Sequence, residues 1–386
     1  MWMNCDVVTS DCSKVSRTLC GLTQYERSNP RRFCKKEFPK EPLDRMKTSE
    51  KAAEIPIEYR PNGLELLDED CGWVDLGSRS RLLMTGSDAV RFTDSFTTAS
   101  VSKLLAGQGT ESFILDSHGW VLWFVQILRT EEGVLIDADP GVSGALREHL
   151  ERYHIRESFE SVDETLEYQS MYIGGPMARS RLEKLLPQSL PDQALDHRVV
   201  VVSGDSIRIE CVDWTGTEGF VLFMKSDCFQ KMESILLQIQ ISTVSREAFE
   251  TKRIEYGRPS AVDIPAKTLP QELGRNSQAI SFTKGCYLGQ ETVARIDAMG
   301  HVNKRIVCLS ILSNEIPEPG TSVTMQGSTV GVVGSSCRWR TTGKILSLAM
   351  LHNRASAEMS GLQVDVGGSL KSVTIEQTTL PTRAPA

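Results

Sequence analysis

The chain has 386 residues, 40% hydrophobic and 24% charged, which is the composition of an ordinary globular protein and not of a disordered or fibrous one. At roughly 150 residues per domain, that length allows two or three domains with a core that needs no disulfide or metal staples. The net charge of −7 is uneven: residues 1–51 carry 11 basic and 7 acidic side chains, the remainder 32 basic and 43 acidic, and so acidic a body excludes broad phosphate-backbone contact and direct DNA binding.

Residues 1–55 hold Cys5, Cys12, Cys20 and Cys34 and the basic pairs Arg31–Arg32 and Lys35–Lys36, with little periodicity. This reads as a disordered extension, with Met46 as an alternative start; a metal-binding or targeting arm is the competing reading. The segment lacks the apolar stretch of a secretory signal. The longest apolar run, Gly119–Leu128, is interrupted by Gln126 and is too short to span a bilayer. The expectation is a cytoplasmic protein without a membrane partner. None of the ten cysteines forms a C-x-x-C and the six histidines are scattered, so reduced thiols and no stably bound metal are expected.

From Gly63 strands and helices alternate. Arg81–Thr85 reads as a strand. Ser87–Asp88 then stands where a helix cap belongs, followed by Ala89, Phe92 and Phe96 at helical spacing. Val101–Leu105 reads as a short helix stopped by Gly107. Phe113–Leu115, Gly119–Leu128 and Val134–Ala138 read as strands, and Ser143–Tyr153 as an amphipathic helix. A second set follows: strands at Met171–Ile173, Val199–Val202, Ile207–Val212 and Phe220–Met224, and helices at Ala178–Leu186 and Met232–Ile239. The mixture, with hairpins, predicts an α+β fold.

Beyond Lys304 only strands are predicted: Ile306–Ile311, Ser322–Met325, Thr329–Val333, Ile345–Met350 and Leu362–Val366, punctuated by glycine-bearing turns. That is a small β-barrel. The expected organisation is an extension over 1–55, an α+β region of two lobes over 56–300, a barrel over 301–370 and a loose tail over 371–386.

The densest chemistry lies in Lys284-Gly285-Cys286-Tyr287-Leu288-Gly289-Gln290-Glu291. The two glycines free the backbone on either side of the thiol. Lys284 puts a cation nearby, which would raise the thiolate fraction. Gln290 offers amide donors and an acceptor, and Glu291 can pair with Arg295 at helical i,i+4 spacing. From the residues alone, an inert loop with a half-buried cysteine remains open beside a reactive thiol, since no histidine is nearby.

This octapeptide resembles the signature of the YgfZ-type family, folate-binding relatives of the glycine-cleavage T-protein that support iron–sulfur enzymes. Further segments follow in the order of that superfamily. They include Thr85-Gly86-Ser87-Asp88-Ala89, Leu105-Ala106-Gly107-Gln108-Gly109, Thr215-Gly216-Thr217-Glu218-Gly219-Phe220, Arg253-Ile254-Glu255-Tyr256-Gly257 and Gly331-Val332-Val333-Gly334-Ser335-Ser336. The resemblance covers roughly residues 60–367. It implies a three-lobed ring around a central folate cleft, with a small C-terminal barrel and tetrahydrofolate or a related folate as ligand. It further implies Cys286 and Lys284 in the chemistry and Lys284, Gly285, Tyr287, Gly289, Gln290, Glu291 and Arg253 around the cofactor. Arg253 and Glu255 could instead form a structural ion pair.

The sequence departs from the superfamily's aminomethyltransferases at two acids. The stretch Gly119-Trp120-Val121-Leu122-Trp123-Phe124-Val125 has no carboxylate where those enzymes carry an Asp, and Val221 stands where they carry a Glu. Apolar side chains cannot move a proton, and positioned acid–base groups contribute about 10²–10⁴-fold to rate. Asp116 reads as a turn residue and not as a substitute. Trp120, Trp123 and Phe124 read as core or as a pocket wall. The implied function is a folate-binding accessory protein with iron–sulfur client or assembly proteins as partners and a possible effect on tRNA modification. A tetrahydrofolate-dependent one-carbon transferase is the alternative.

Overall fold

Phe220–Met224 is buried at every position because its strand lies inside a sheet covered on both faces, which a run of five apolar residues permits. In this computed structural model, which describes residues 62–186, 189–339, 342–358 and 361–376, that sheet is six-stranded. Its order is Ser242–Thr243, Gly72–Gly77, Tyr168–Gly174, Gly219–Lys225, Asp205–Val212 and His197–Val202. One face packs Trp73, Ile173, Phe220 and Leu222 against the helices Ala178–Glu183 and Phe229–Gln238. The other packs Leu76, Tyr172, Val221 and Phe223 with Trp214 and with Phe249 of the helix Arg246–Tyr256.

A second, five-stranded sheet is inserted in sequence between the strands Gly72–Gly77 and Tyr168–Gly174. It runs Gly109–Leu115, Val121–Arg129, Gly133–Ala138, Ser80–Thr85 and Glu160–Asp163. The third assembly is a closed six-stranded barrel. Its strands in order are Lys304–Ile311, Ile345–His352, Ser328–Arg338, Ser322–Met325, Leu362–Val366 and Ser369–Glu376. The fold is thus mixed α and β in three lobes with a closed C-terminal barrel. No described helix is long and apolar enough to cross a membrane.

The predicted strands and most predicted helices fall where expected; the structure adds the strands Gly72–Gly77, Glu160–Asp163 and Ser242–Thr243 and the helix Leu64–Glu69, and it departs from expectation in three further places. Val101–Leu105 forms turns and not a helix. Asp94 Oδ1 accepts from the Val101 and Ser102 amides at 2.6 and 3.1 Å, and Gln108 Oε1 accepts from the Leu105 amide at 2.9 Å. Side chains thereby take the amides a helix would use. Lys371 to Glu376, expected to begin a tail, form most of the last barrel strand, pairing with Lys304–Ile311 and Leu362–Val366. The helix Arg246–Tyr256 was not anticipated, although Ser245 caps its start by accepting from the Ala248 amide at 3.1 Å and Gly257 ends it in the left-handed region. The expectations for residues 1–55 and for the end of the tail lie outside the described residues.

His197 joins the two open sheets. Its amide donates to Gly107 O at 2.7 Å, its Nε2 donates to Arg129 O at 3.0 Å, and its Nδ1 accepts from Arg208 Nη1 at 2.9 Å. A carbonyl can only accept and a guanidinium only donate, so these partners require the neutral Nε2–H ring. Burial, with Arg208 beside it, pushes its pKa down to about 4. The unfolded chain therefore binds a proton that the folded one refuses, and stability falls as pH drops from about 6.5 toward 4. We expect urea unfolding to show a loss of about 1–2 kcal/mol between pH 7 and 5 from this group. His197→Gln should flatten that slope; an unchanged slope would assign it to other groups.

Candidate functional site

A cavity of about 260 Å³ opens where the two sheets meet the helix Arg246–Tyr256 and the segment Arg258–Val262. It is built on a row of side chains across the five-stranded sheet. Strand register places Glu111 opposite Gln126, Gln126 opposite Asp137, and Asp137 opposite Arg81. Directly paired residues share a face, so four polar groups cross a sheet that is otherwise apolar there. Gln126 and Asp137 line the cavity, with Phe124, Trp214, Arg79 and Arg258 around them.

The charged members are paired. Arg79 Nε donates to Asp137 Oδ1 at 2.7 Å and its guanidinium lies 5.0 Å over the Trp214 ring. Arg258 lies 5.1 Å from both the Phe124 and the Trp214 rings and pairs with Glu111, which also pairs with Arg275. Burial raises the pKa of the Asp137 carboxyl against the pull of Arg79.

Several buried polar atoms on this wall have no protein partner: both amide atoms of Gln126, Asp137 Oδ2 and Trp214 Nε1. Gln126 is 2% exposed, Asp137 0% and Trp214 3%. An unsatisfied buried polar group costs about 1–3 kcal/mol. A cavity that accumulates three such side chains beside two aromatic rings suits a flat heteroaromatic ring with hydrogen-bonding edges. The volume lies just below the roughly 300–1,000 Å³ of ligand pockets, enough for a bicyclic ring head and not for a long molecule.

Of the residues singled out in the sequence, Phe124 and Arg253 line this cavity, whereas none of Lys284–Glu291 does. Arg253 is spent on the protein. It donates to Glu250 Oε2 at 2.7 Å, Ser335 Oγ at 2.7 Å, Asp263 Oδ2 at 3.3 Å and the Arg258 carbonyl. Asp263 also accepts from the Ser335 amide at 2.6 Å, so this cluster fixes the barrel to the cavity wall. Glu255 pairs with Lys252 at 3.5 Å.

The octapeptide acts as a clasp. Lys284 Nζ donates to the carbonyls of Asp94, Thr97 and Ala99 and lies 3.2 Å from Asp94 Oδ1. Three N–H donors meet three carbonyls, so the ammonium is used up at the end of the helix Ala89–Phe96 and is not free to serve the thiol. Burial lowers its pKa, with Asp94 opposing. Tyr287 is buried in the cluster of Leu115, Val121 and Val293.

Gly289, at φ +82°, starts the helix Gln290–Met299 and packs on the hairpin tip Asp116–Gly119; a Cβ there would meet Asp116 O at 2.8 Å. Thr292 Oγ1 donates to His118 O at 2.8 Å across the same contact. Asp116 is the turn residue expected, accepting from the His118 and Trp120 amides at 2.9 Å each. Gly285 and Cys286 are the exposed part of the clasp. Gln290 starts the helix half-buried; Glu291 and Arg295 are exposed and form no ion pair with each other among the described residues.

Gln126, Asp137, Trp214, Arg79 and Arg258 were not anticipated as site residues. One signal was present: Gln126 interrupts the most apolar run of the chain, and a polar residue inside a buried strand needs a partner. Among the described residues no group of three or more His, Cys, Asp or Glu side chains converges as a metal-ligand set.

Residues 53–284 match the GCVT N-terminal domain and residues 304–382 the glycine cleavage T-protein C-terminal barrel domain. A chloroplastic protein of Arabidopsis thaliana, named as a candidate transferase, is 24% identical over 86% of this chain and 76% of its own length. An aminomethyltransferase of Herpetosiphon aurantiacus is 26% identical over 81% of this chain and 87% of its own. The crystal structure of glycine cleavage system aminomethyltransferase T from Bartonella henselae superposes with a TM-score of 0.71 at 18% identity. It covers 81% of this chain and 87% of that one, and shows the shared fold.

Proposed function

Because the chain belongs to the glycine cleavage T-protein family, we propose that it is a cytoplasmic folate-binding protein that supports the assembly or repair of iron–sulfur enzymes. The observation that carries the folate reading is the set of unpartnered buried atoms on Gln126, Asp137 and Trp214. The amide of Gln126 can donate and accept along one edge of a pterin, Asp137 Oδ2 can accept from its ring N–H groups, and Trp214 Nε1 can donate. Phe124 adds an aromatic wall to the cavity. When bound, tetrahydrofolate supplies the nitrogens that carry a one-carbon unit.

The accessory role rests on the resemblance of Lys284–Glu291 to the YgfZ-type signature and on the exposure of Cys286. In this reading the clasp presents the thiol to a client protein, and Lys284 positions the loop. A second reading, folate-dependent one-carbon transfer, draws support from Asp137. This residue brings a carboxylate to the cavity wall from the strand next to the one that lacks it.

Calorimetric titration with 5-formyltetrahydrofolate should give saturable micromolar binding, and its absence would remove the folate reading. In cells lacking their own YgfZ-type protein, the native chain should restore aconitase activity and Cys286→Ala should not. Rescue by both would discard the thiol's role. Turnover with a lipoyl carrier, sarcosine or dimethylglycine would establish the transferase instead.

A further inference from the structure

A second cavity, of about 480 Å³, lies on the other side of the junction between the two sheets. Its inner wall carries two arginines from facing sheets, Arg81 and Arg208. Arg81 is 4% exposed. Its guanidinium lies 4.4 Å from the Tyr168 ring, its Nε donates to Glu164 at 3.1 Å, and its buried Nη1 has no partner. Arg208 gives Nη1 to His197, and its buried Nε has no partner.

We propose that this cavity is an oxyanion site that takes the phosphate group of a small metabolite between Arg81 and Arg208. The Glu164 carboxylate, also on the lining, balances Arg81, but among the described residues no ion pair holds Arg208, and each guanidinium leaves a buried N–H without an acceptor, which is costly in hydrogen bonding. One oxyanion relieves both. Guanidinium groups match phosphate oxygens in geometry and charge. Donors from two separate guanidinium groups suit a tetrahedral anion, whose acceptors spread in three dimensions, better than a planar carboxylate. His197 cannot compete for the site, because both of its ring nitrogens are already engaged. The exposed Glu131 and Glu132 on the lining repel long polyanions, so the ligand is a small phosphate and not a nucleic acid. The site is separate from the folate reading and does not depend on it.

The test is calorimetric titration of the full chain at constant ionic strength with inorganic phosphate, with glycerol phosphate and succinate as parallel arms. One saturable equivalent of phosphate is expected, with glycerol phosphate at least as tight if the ligand is an ester. Arg208→Gln should weaken it about 10- to 100-fold and leave 5-formyltetrahydrofolate binding unchanged. Arg208→Lys, which keeps the charge and loses the planar fork, should fall between and serves if the Gln variant fails to fold. Heat no greater than that of matched chloride would mean the cavity holds water and would overturn the proposal. Preference for succinate, or phosphate binding unmoved by Arg208→Gln and Arg208→Lys, would also overturn it.

Discussion

Glu111→Ala is expected to lower the unfolding free energy by about 3–5 kcal/mol. Glu111 is 2% exposed and its two carboxylate oxygens are divided between Arg258 and Arg275, which are 7% and 3% exposed. Removing the acid strands two guanidinium groups in a medium that solvates them poorly. The damage extends to the cavity, since Arg258 forms part of its wall and stacks on Phe124 and Trp214. Urea unfolding with a constant m-value would measure the loss; a change below about 1 kcal/mol would show that water replaces the acid at little cost. Replacing all three residues by apolar ones of similar volume should recover much of the stability, because a buried ion triad contributes little net.

The same triad sets an acid limit. Burial alone would raise the Glu111 pKa, but the two arginines outweigh it and hold the carboxyl below its usual range. Its contribution is therefore full above the unfolded carboxylate pKa of about 4.3 and is lost as pH falls through the lower folded value. This window lies below that of His197, so the two groups can be separated in one pH series.

Five of the six barrel strands could be read, because a strand-only region with glycine turns offers no competing periodicity; Ser322–Met325 and Leu362–Val366 match their observed bounds, whereas Ser369–Glu376, with its many exposed and polar residues, reads as the approach to a tail. The helix Arg246–Tyr256 escaped because six of its eleven residues are Lys, Arg or Glu in the turns most exposed to solvent or committed to ion pairs, which hides the apolar face of Phe249 and Ile254. Its caps, Ser245 and Gly257, were in plain view. The octapeptide was legible as a motif but not as a clasp, since the carbonyls that bind Lys284 come from residues 94, 97 and 99, some 190 positions away. The cavity wall was hidden for a related reason. Glu111, Gln126, Asp137 and Arg81 form a row only through strand register, and no single strand contains two of them.

Gln126→Leu should separate ligand binding from stability by moving them in opposite directions. In the native chain the Gln126 amide is buried with neither end partnered, so a leucine of similar volume removes a desolvation penalty. The variant is expected to be more stable by about 1–2 kcal/mol. The same change deletes the donor and acceptor that the pterin edge would use, and should weaken 5-formyltetrahydrofolate binding by about 10- to 100-fold. A purely structural glutamine predicts the reverse on both counts: lost stability and unchanged affinity. Destabilisation would therefore mean that the amide already has a partner in the free protein, and unchanged affinity would place the ring outside this cavity. Gain of stability with loss of binding is the signature of a group retained for a ligand, in keeping with the rule that functional sites are where a fold departs from its own best packing.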